Sequence, residues 1–219
     1  MQTTKRNTKK VVAIVLSLVL VAALAIGGTL AWLTVVTNQE VNTFNVLTAG
    51  GASPSMKATL TETAWTAGEQ AKAIKMMPGG TVAKNPIITN ESTEDIDEWV
   101  AIQLTFTKGD GTTELTATEV TTLFKVIEFT TTANWVKKSG GTDIAQGEIY
   151  YYNTILEPTD ATANLFPNVK VKDGAVNADL ETIKTWAGFK IVVDGAAVQG
   201  DIATTLTADV KTALDALFA

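Results

Sequence analysis

Between Trp99 and Thr107 the sequence reads WVAIQLTFT, in which Val100, Ile102, Leu104 and Phe106 fall on one side of an extended chain and Ala101, Gln103, Thr105 and Thr107 on the other. That alternation commits the segment to a strand with one apolar face, and the face must find cover. Alternation of this kind, rather than helical periodicity, dominates the chain after residue 31. Threonine recurs throughout, and its β-branched side chain suits a half-buried strand.

Other segments carry the same signal. IYYYNTIL, residues 149–156, predicts a strand with Ile149, Tyr151 and Ile155 on one side and Tyr150, Tyr152 and Leu156 on the other. VKVKDGAV and KIVVDGAAV predict hairpins turning at Asp173-Gly174 and Asp194-Gly195, dipeptides that readily supply positive φ. Pro78-Gly79 predicts a type II turn, with Pro where φ is pre-set and Gly where it must become positive. Helix is a minority. The clearest runs from Ala208 to Phe218, striped by Val210, Ala213, Leu214 and Leu217, with Thr207 as its cap and Asp209 in its first turn. A shorter one is predicted from Ala117 to Leu123, where Thr116 and Glu119 have capping-box spacing. Many short strands with turn signals between them point to an all-β fold with minor α, a β-sandwich or jelly roll with a short C-terminal helix.

The N-terminus has a separate character. MQTTKRNTKK carries Lys5, Arg6, Lys9 and Lys10 without an acid, and an apolar run from Val11 to Ile26 follows, broken only by Ser17. This is the layout of a secretory signal, and extended to Leu33 it also reaches the roughly 20 residues that span a bilayer. Thr29-Leu30-Ala31 places small residues at the first and third positions before the Ala31–Trp32 bond, which favours cleavage there over a retained anchor. The expected organisation is a signal peptide at 1–31, an N-terminal strand at 32–48 that could act as a donor strand, and a β-sandwich or jelly-roll domain at 49–219. All 23 acids lie after Ala31 and four of the 17 bases before it, so cleavage makes the body more acidic than the whole chain's net −6. Such a charge disfavours nucleic acid and anionic lipid as partners.

The chain contains neither histidine nor cysteine. Ser-His-Asp and Cys-His catalysis and HExxH zinc sites are therefore impossible, and any metal would rest on oxygen ligands alone. The acidic run ESTEDIDE, with Glu91, Glu94, Asp95, Asp97 and Glu98, has the ligand chemistry for Ca²⁺, but no EF-hand spacing; a solvated loop between strands explains it more simply. Tyr150 to Tyr152 offer an adhesive or carbohydrate platform or ordinary strand packing, and alternation favours packing. Trp65, Trp99, Trp135 and Trp186 read as core or rim, and Lys137-Lys138 is too small a basic patch for nucleic acid. No catalytic, cofactor-binding or metal-binding residue is assigned.

One ordered set of motifs resembles a known family. GGTLAWLT at the leader junction is followed by TFNV, MMPGGTVAKNPIITN, EWVAIQLTF, NWVKK and YYY, LEPTDATANLF and FKIVVDGAAVQ. This series is similar to the TasA/camelysin family of Gram-positive exported proteins and covers nearly all of the chain from the leader to about Gln199. The resemblance implies a SipW-type signal peptidase as the processing partner, a jelly-roll domain, and a location in the extracellular matrix or at the cell surface. It further implies self-association into biofilm-matrix fibres, with an anchoring or accessory matrix protein as a further partner and no cofactor. Other members are described as metal-dependent surface proteases, so a camelysin-like metalloprotease is the alternative, and a monomeric adhesin a third. The chain departs from the family where Pro-Gly becomes Pro158-Thr159, and after Gln199.

The N-terminal segment reads the same way from its residues. Trp32, Leu33, Val35, Val36, Val41, Phe44 and Val46 are interleaved with Asn38, Gln39, Asn42 and Asn45. A strand of this composition, freed at its own N-terminus, can add to an exposed sheet edge of another copy. It can equally serve as the first strand of its own domain.

Overall fold

The computed structural model describes residues 34–37, 44–45, 55–92, 96–141, 143–200 and 205–219, all within one compact unit, Thr34–Ala219. Among them are twelve strands: β1 (Thr34–Thr37), β2 (Phe44–Asn45), β3 (Ser55–Met56), β4 (Ala58–Thr61), β5 (Thr81–Ala83), β6 (Ile87–Asn90), β7 (Glu98–Lys108), β8 (Ile127–Glu128), β9 (Trp135–Lys137), β10 (Glu148–Tyr152), β11 (Asn168–Val171) and β12 (Phe189–Gln199). Four short helices accompany them: α1 (Ala67–Ala73), α2 (Ala117–Val126), α3 (Asn177–Thr185) and α4 (Ala208–Asp215). The class is the expected one, β-rich with minor α.

The principal sheet has the order β1-β12-β7-β10-β9; β5-β11-β8 form a second sheet, and β2-β3 and β4-β6 form two-stranded ladders. Every described pairing is antiparallel. The alternating segment is the centre of the principal sheet, where β7 pairs with β12 over its whole length, from Glu98↔Gln199 to Lys108↔Phe189.

Both faces of β7 are covered, which its sequence alone did not require. Val100, Ile102, Leu104 and Phe106 are buried on the face expected to be apolar. From Phe106 an aromatic chain runs through Phe124 of α2 and Phe129 to Phe166, with ring centroids 5.3, 5.6 and 4.4 Å apart. On the opposite face Trp99 and Ala101 join Ile149, Tyr151, Ala196 and Val198 in an apolar patch, and α4 lays Val210 and Leu214 upon it. Where α4 ends its cover, the same face of β7 reverts to the half-buried Gln103 and Thr105.

Local chemistry explains most element boundaries. The Thr116/Glu119 capping box opens α2, which runs to Val126, three residues beyond the expected end. Thr207 Oγ1 accepts from the Val210 N–H to open α4, which stops at Asp215. At Met77-Pro78-Gly79-Gly80 the Gly80 N–H donates to the Met77 carbonyl at 2.7 Å and Gly79 has φ +82°, the expected type II turn.

Neither Asp-Gly hairpin forms. After Asp173-Gly174 the chain enters α3, whose Ile183 is buried, instead of returning as a strand. Asp194-Gly195 lies inside β12, which continues extended to Gln199. Gly195 is flanked by Ile102 of β7 and Thr37 of β1, so paired neighbours on both sides hold it straight. Positive φ is available to such a glycine but not imposed, and neither Gly174 nor Gly195 adopts it.

Candidate assembly site

The leader, the Ala31–Trp32 bond, and Trp32, Leu33, Val41 and Val46 lie outside the described residues. Two expected donor residues fall within described strands. Val35 belongs to β1, opposite Ala197 of β12, and Phe44 belongs to β2, opposite Met56 of β3. Here β1 closes the sheet of its own chain through the ladder Thr34↔Val198, Val35↔Ala197, Val36↔Ala196 and Thr37↔Gly195. This is the arrangement expected of a first strand belonging to its own domain.

Both edges of the principal sheet are short, four residues in β1 and three in β9, whereas β12 beneath β1 is eleven residues long. Losing β1 would uncover backbone donors and acceptors along Gly195–Val198, a stretch whose residues are all buried. Gly and Ala have low strand propensity, so Gly195-Ala196-Ala197 owes its extended form to its neighbours.

Several buried polar side chains tie distant segments together. Asn90 is fully buried. Its side-chain amide donates to the carbonyls of Ile96 and Leu156 and its oxygen accepts from the Ser92 N–H, each at 2.9 Å. Its backbone N–H donates to the Asp160 carbonyl at 2.8 Å, and its carbonyl accepts from the Thr159 N–H at 2.9 Å. Asn90 thereby ties the end of β6 to the start of β7 and to the Pro158-Thr159 turn. Glu98 opens β7 on the core side and is completely buried. Burial raises its acid to about 7, against the opposing pull of the Ser92 hydroxyl and the Lys57 N–H.

The acidic run is therefore not uniformly solvated. Glu98 is interior, whereas Glu91 pairs with Lys57 and is held below the usual carboxylate range. Thr93, Glu94 and Asp95 lie outside the described residues, among which no group of three or more Asp or Glu side chains is placed to hold a metal ion.

Tyr150, Tyr151 and Tyr152 are all buried, so they offer no adhesive platform. Tyr151 Oη donates to Asp215 Oδ1 of α4 at 2.6 Å; burial, then this carboxylate, push its phenol well above the usual range and keep it a neutral donor. Trp99, Trp135 and Trp186 are buried and Trp65 is half-buried, with the Lys84 ammonium 5.2 Å from its ring centroid. Lys137 and Lys138 point to separate carboxylates, Glu148 at 3.6 Å and Asp215 at 2.8 Å.

Sequence reasoning missed Glu98 and Glu148 as interior groups, although the signal was present. Continuing the core-facing series Val100, Ile102, Leu104 backwards by two lands on Glu98, and continuing Tyr152, Tyr150 backwards lands on Glu148. It also assigned α4 its apolar stripe without the sheet face that receives it.

Comparison of the chain with family models, with curated proteins and with solved structures finds no match in any of the three. Among the described residues no helix is long and apolar enough to cross a membrane.

Proposed function

We propose that this chain is a secreted structural subunit of cell-surface or biofilm-matrix fibres, assembling when β1 of one copy replaces β1 on β12 of the next. The observation that carries the reading is the four-residue β1–β12 ladder at the sheet edge. The same backbone pairing forms equally well between copies, so exchange preserves every hydrogen bond and is governed by concentration and chain release. A head-to-tail exchange that does not close on itself produces a filament.

Strand order supports a jelly-roll reading of the body. The first and last strands are neighbours in one sheet, and in the other a late strand, β11, lies between two earlier ones, as two Greek keys require. The lack of His and Cys removes Ser-His-Asp, Cys-His and HExxH hydrolases and favours architecture over catalysis. On this reading the partners are further copies of the chain, a SipW-type peptidase that frees the strand, and an anchoring or accessory matrix protein. The setting is the surface or matrix of a Gram-positive bacterium, and the resemblance to the TasA/camelysin family is what suggests it.

Deletion of Trp32 to Val46 tests the function. Electron microscopy should then find no fibres under conditions where the parent chain forms them; fibres of normal length from the deleted chain would contradict the proposal.

A further inference from the structure

The acceptor strand has a second cover besides β1. Ala196 and Val198 of β12, the partners of Val36 and Thr34, belong to the outer-face patch on which α4 sits. Val210 and Leu214 fill that patch, while Leu206, Ala213, Leu217 and Phe218 pack around its margin. A polar latch fixes the C-terminal end of the helix: Tyr151 Oη donates to Asp215 Oδ1 at 2.6 Å, and Lys138 Nζ lies 2.8 Å from Asp215 Oδ2. The Lys211 ammonium stands 5.5 Å from the Tyr151 ring centroid, which ties the middle of the helix to the same tyrosine.

This cover lies where β12 is intrinsically weakest. Gly195-Ala196-Ala197 has little strand propensity of its own, so packing keeps it extended and ready to pair. The core supports one face and α4 the other. On these grounds we infer that α4 is a clamp on the acceptor strand, and that its docking sets how long β12 retains whichever strand is paired with it. The clamp strengthens a strand from the same chain and one from a neighbour alike. It therefore acts on the rate of exchange rather than on the choice between them. As a control on assembly this role rests on the strand-exchange reading, but its structural core does not.

Hydrogen exchange tests it on the full chain, held below the concentration at which light scattering rises. Asp215→Ala removes the latch without touching the core. We expect the amides of α4 and of Gly195–Val198 to exchange about tenfold faster together, as loss of one charge-assisted hydrogen bond allows. Those of β11, in the other sheet, should be unchanged. Acceleration in α4 alone, with Gly195–Val198 as slow as before, would overturn the clamp. If Asp215→Ala loosens β11 as well, Tyr151→Phe, which keeps the ring and removes only the hydroxyl, decides by the same comparison. Scattering from concentrated samples reads assembly separately, so a parent chain that never associates would refute strand exchange while the amide rates still decide the clamp.

Discussion

Ser92 Oγ donates to Glu98 Oε1 at 2.6 Å inside the protein, joining the start of the β6–β7 connection to the first residue of the central strand. The other Glu98 oxygen is buried without a hydrogen-bond partner. A carboxyl so placed favours its protonated form, which is why its acid is raised from 4.5 to about 7. Because the folded value exceeds the unfolded one, folding takes up a proton between them. The stabilisation is complete below pH 4.5 and is lost as pH climbs to about 7, by an amount on the order of 3 kcal/mol. Surface carboxylates such as Glu91 and Glu119 are shifted the other way and act at lower pH. Urea unfolding across this window should show falling stability with rising pH. Glu98→Gln, which keeps an acceptor for Ser92, should flatten the slope and exceed the parent above pH 7; an unchanged slope would refute the assignment.

Thr159 has φ +75°, in the left-handed region that a β-branched residue rarely occupies. It stands third in the turn Glu157-Pro158-Thr159-Asp160, where the Asp160 N–H donates to the Glu157 carbonyl at 3.0 Å and a type II turn calls for glycine. Two backbone bonds to Asn90 hold the turn in place against that strain. Thr159→Gly should therefore raise stability by about 1 kcal/mol, relief of the φ penalty being partly offset by a more flexible unfolded chain. Chemical denaturation of both forms measures it, and a loss of stability would show that the threonine side chain contributes more than its backbone costs.

Lys137 and Glu148 form an ion pair at 3.6 Å with unequal support. Glu148 accepts from the Ser139 N–H and hydroxyl at 3.1 and 2.8 Å, whereas the Lys137 ammonium is buried with no hydrogen bond of its own. Glu148→Leu strands the buried Lys137 ammonium, at a cost of about 3–5 kcal/mol. Lys137→Met leaves a carboxylate that keeps both Ser139 bonds, so it should cost clearly less. Equal losses in thermal unfolding would contradict the asymmetry.

Strand identity and much of the sidedness were legible because burial on a sheet leaves a period-two imprint. Val100 to Phe106 and the opposed sides of the tyrosine run follow from it directly. What was not legible depends on contacts between distant segments. Trp99 and Ala101 look like the lesser face of β7 until α4, more than a hundred residues later, comes to cover them. The same holds for Asp194-Gly195, a turn signal overridden by ladders on both sides of β12. At Pro158-Thr159 the turn is made with a threonine in the left-handed region, a strain that the residue types alone do not reveal.

The central claim is that a strand from one chain can occupy the β1 position on another, and the absence of native cysteine makes it directly measurable. Val36 and Ala196 are cross-strand partners, so Val36→Cys in one chain and Ala196→Cys in a second place one thiol on each side of the exchanged pairing. After the two chains are mixed at rising concentration and oxidised, mass spectrometry should find a disulfide between positions 36 and 196 of different molecules, increasing with scattering. If that link forms only within a chain carrying both substitutions, and never between the singly substituted chains at any concentration or ionic strength, strand exchange is not how this protein associates.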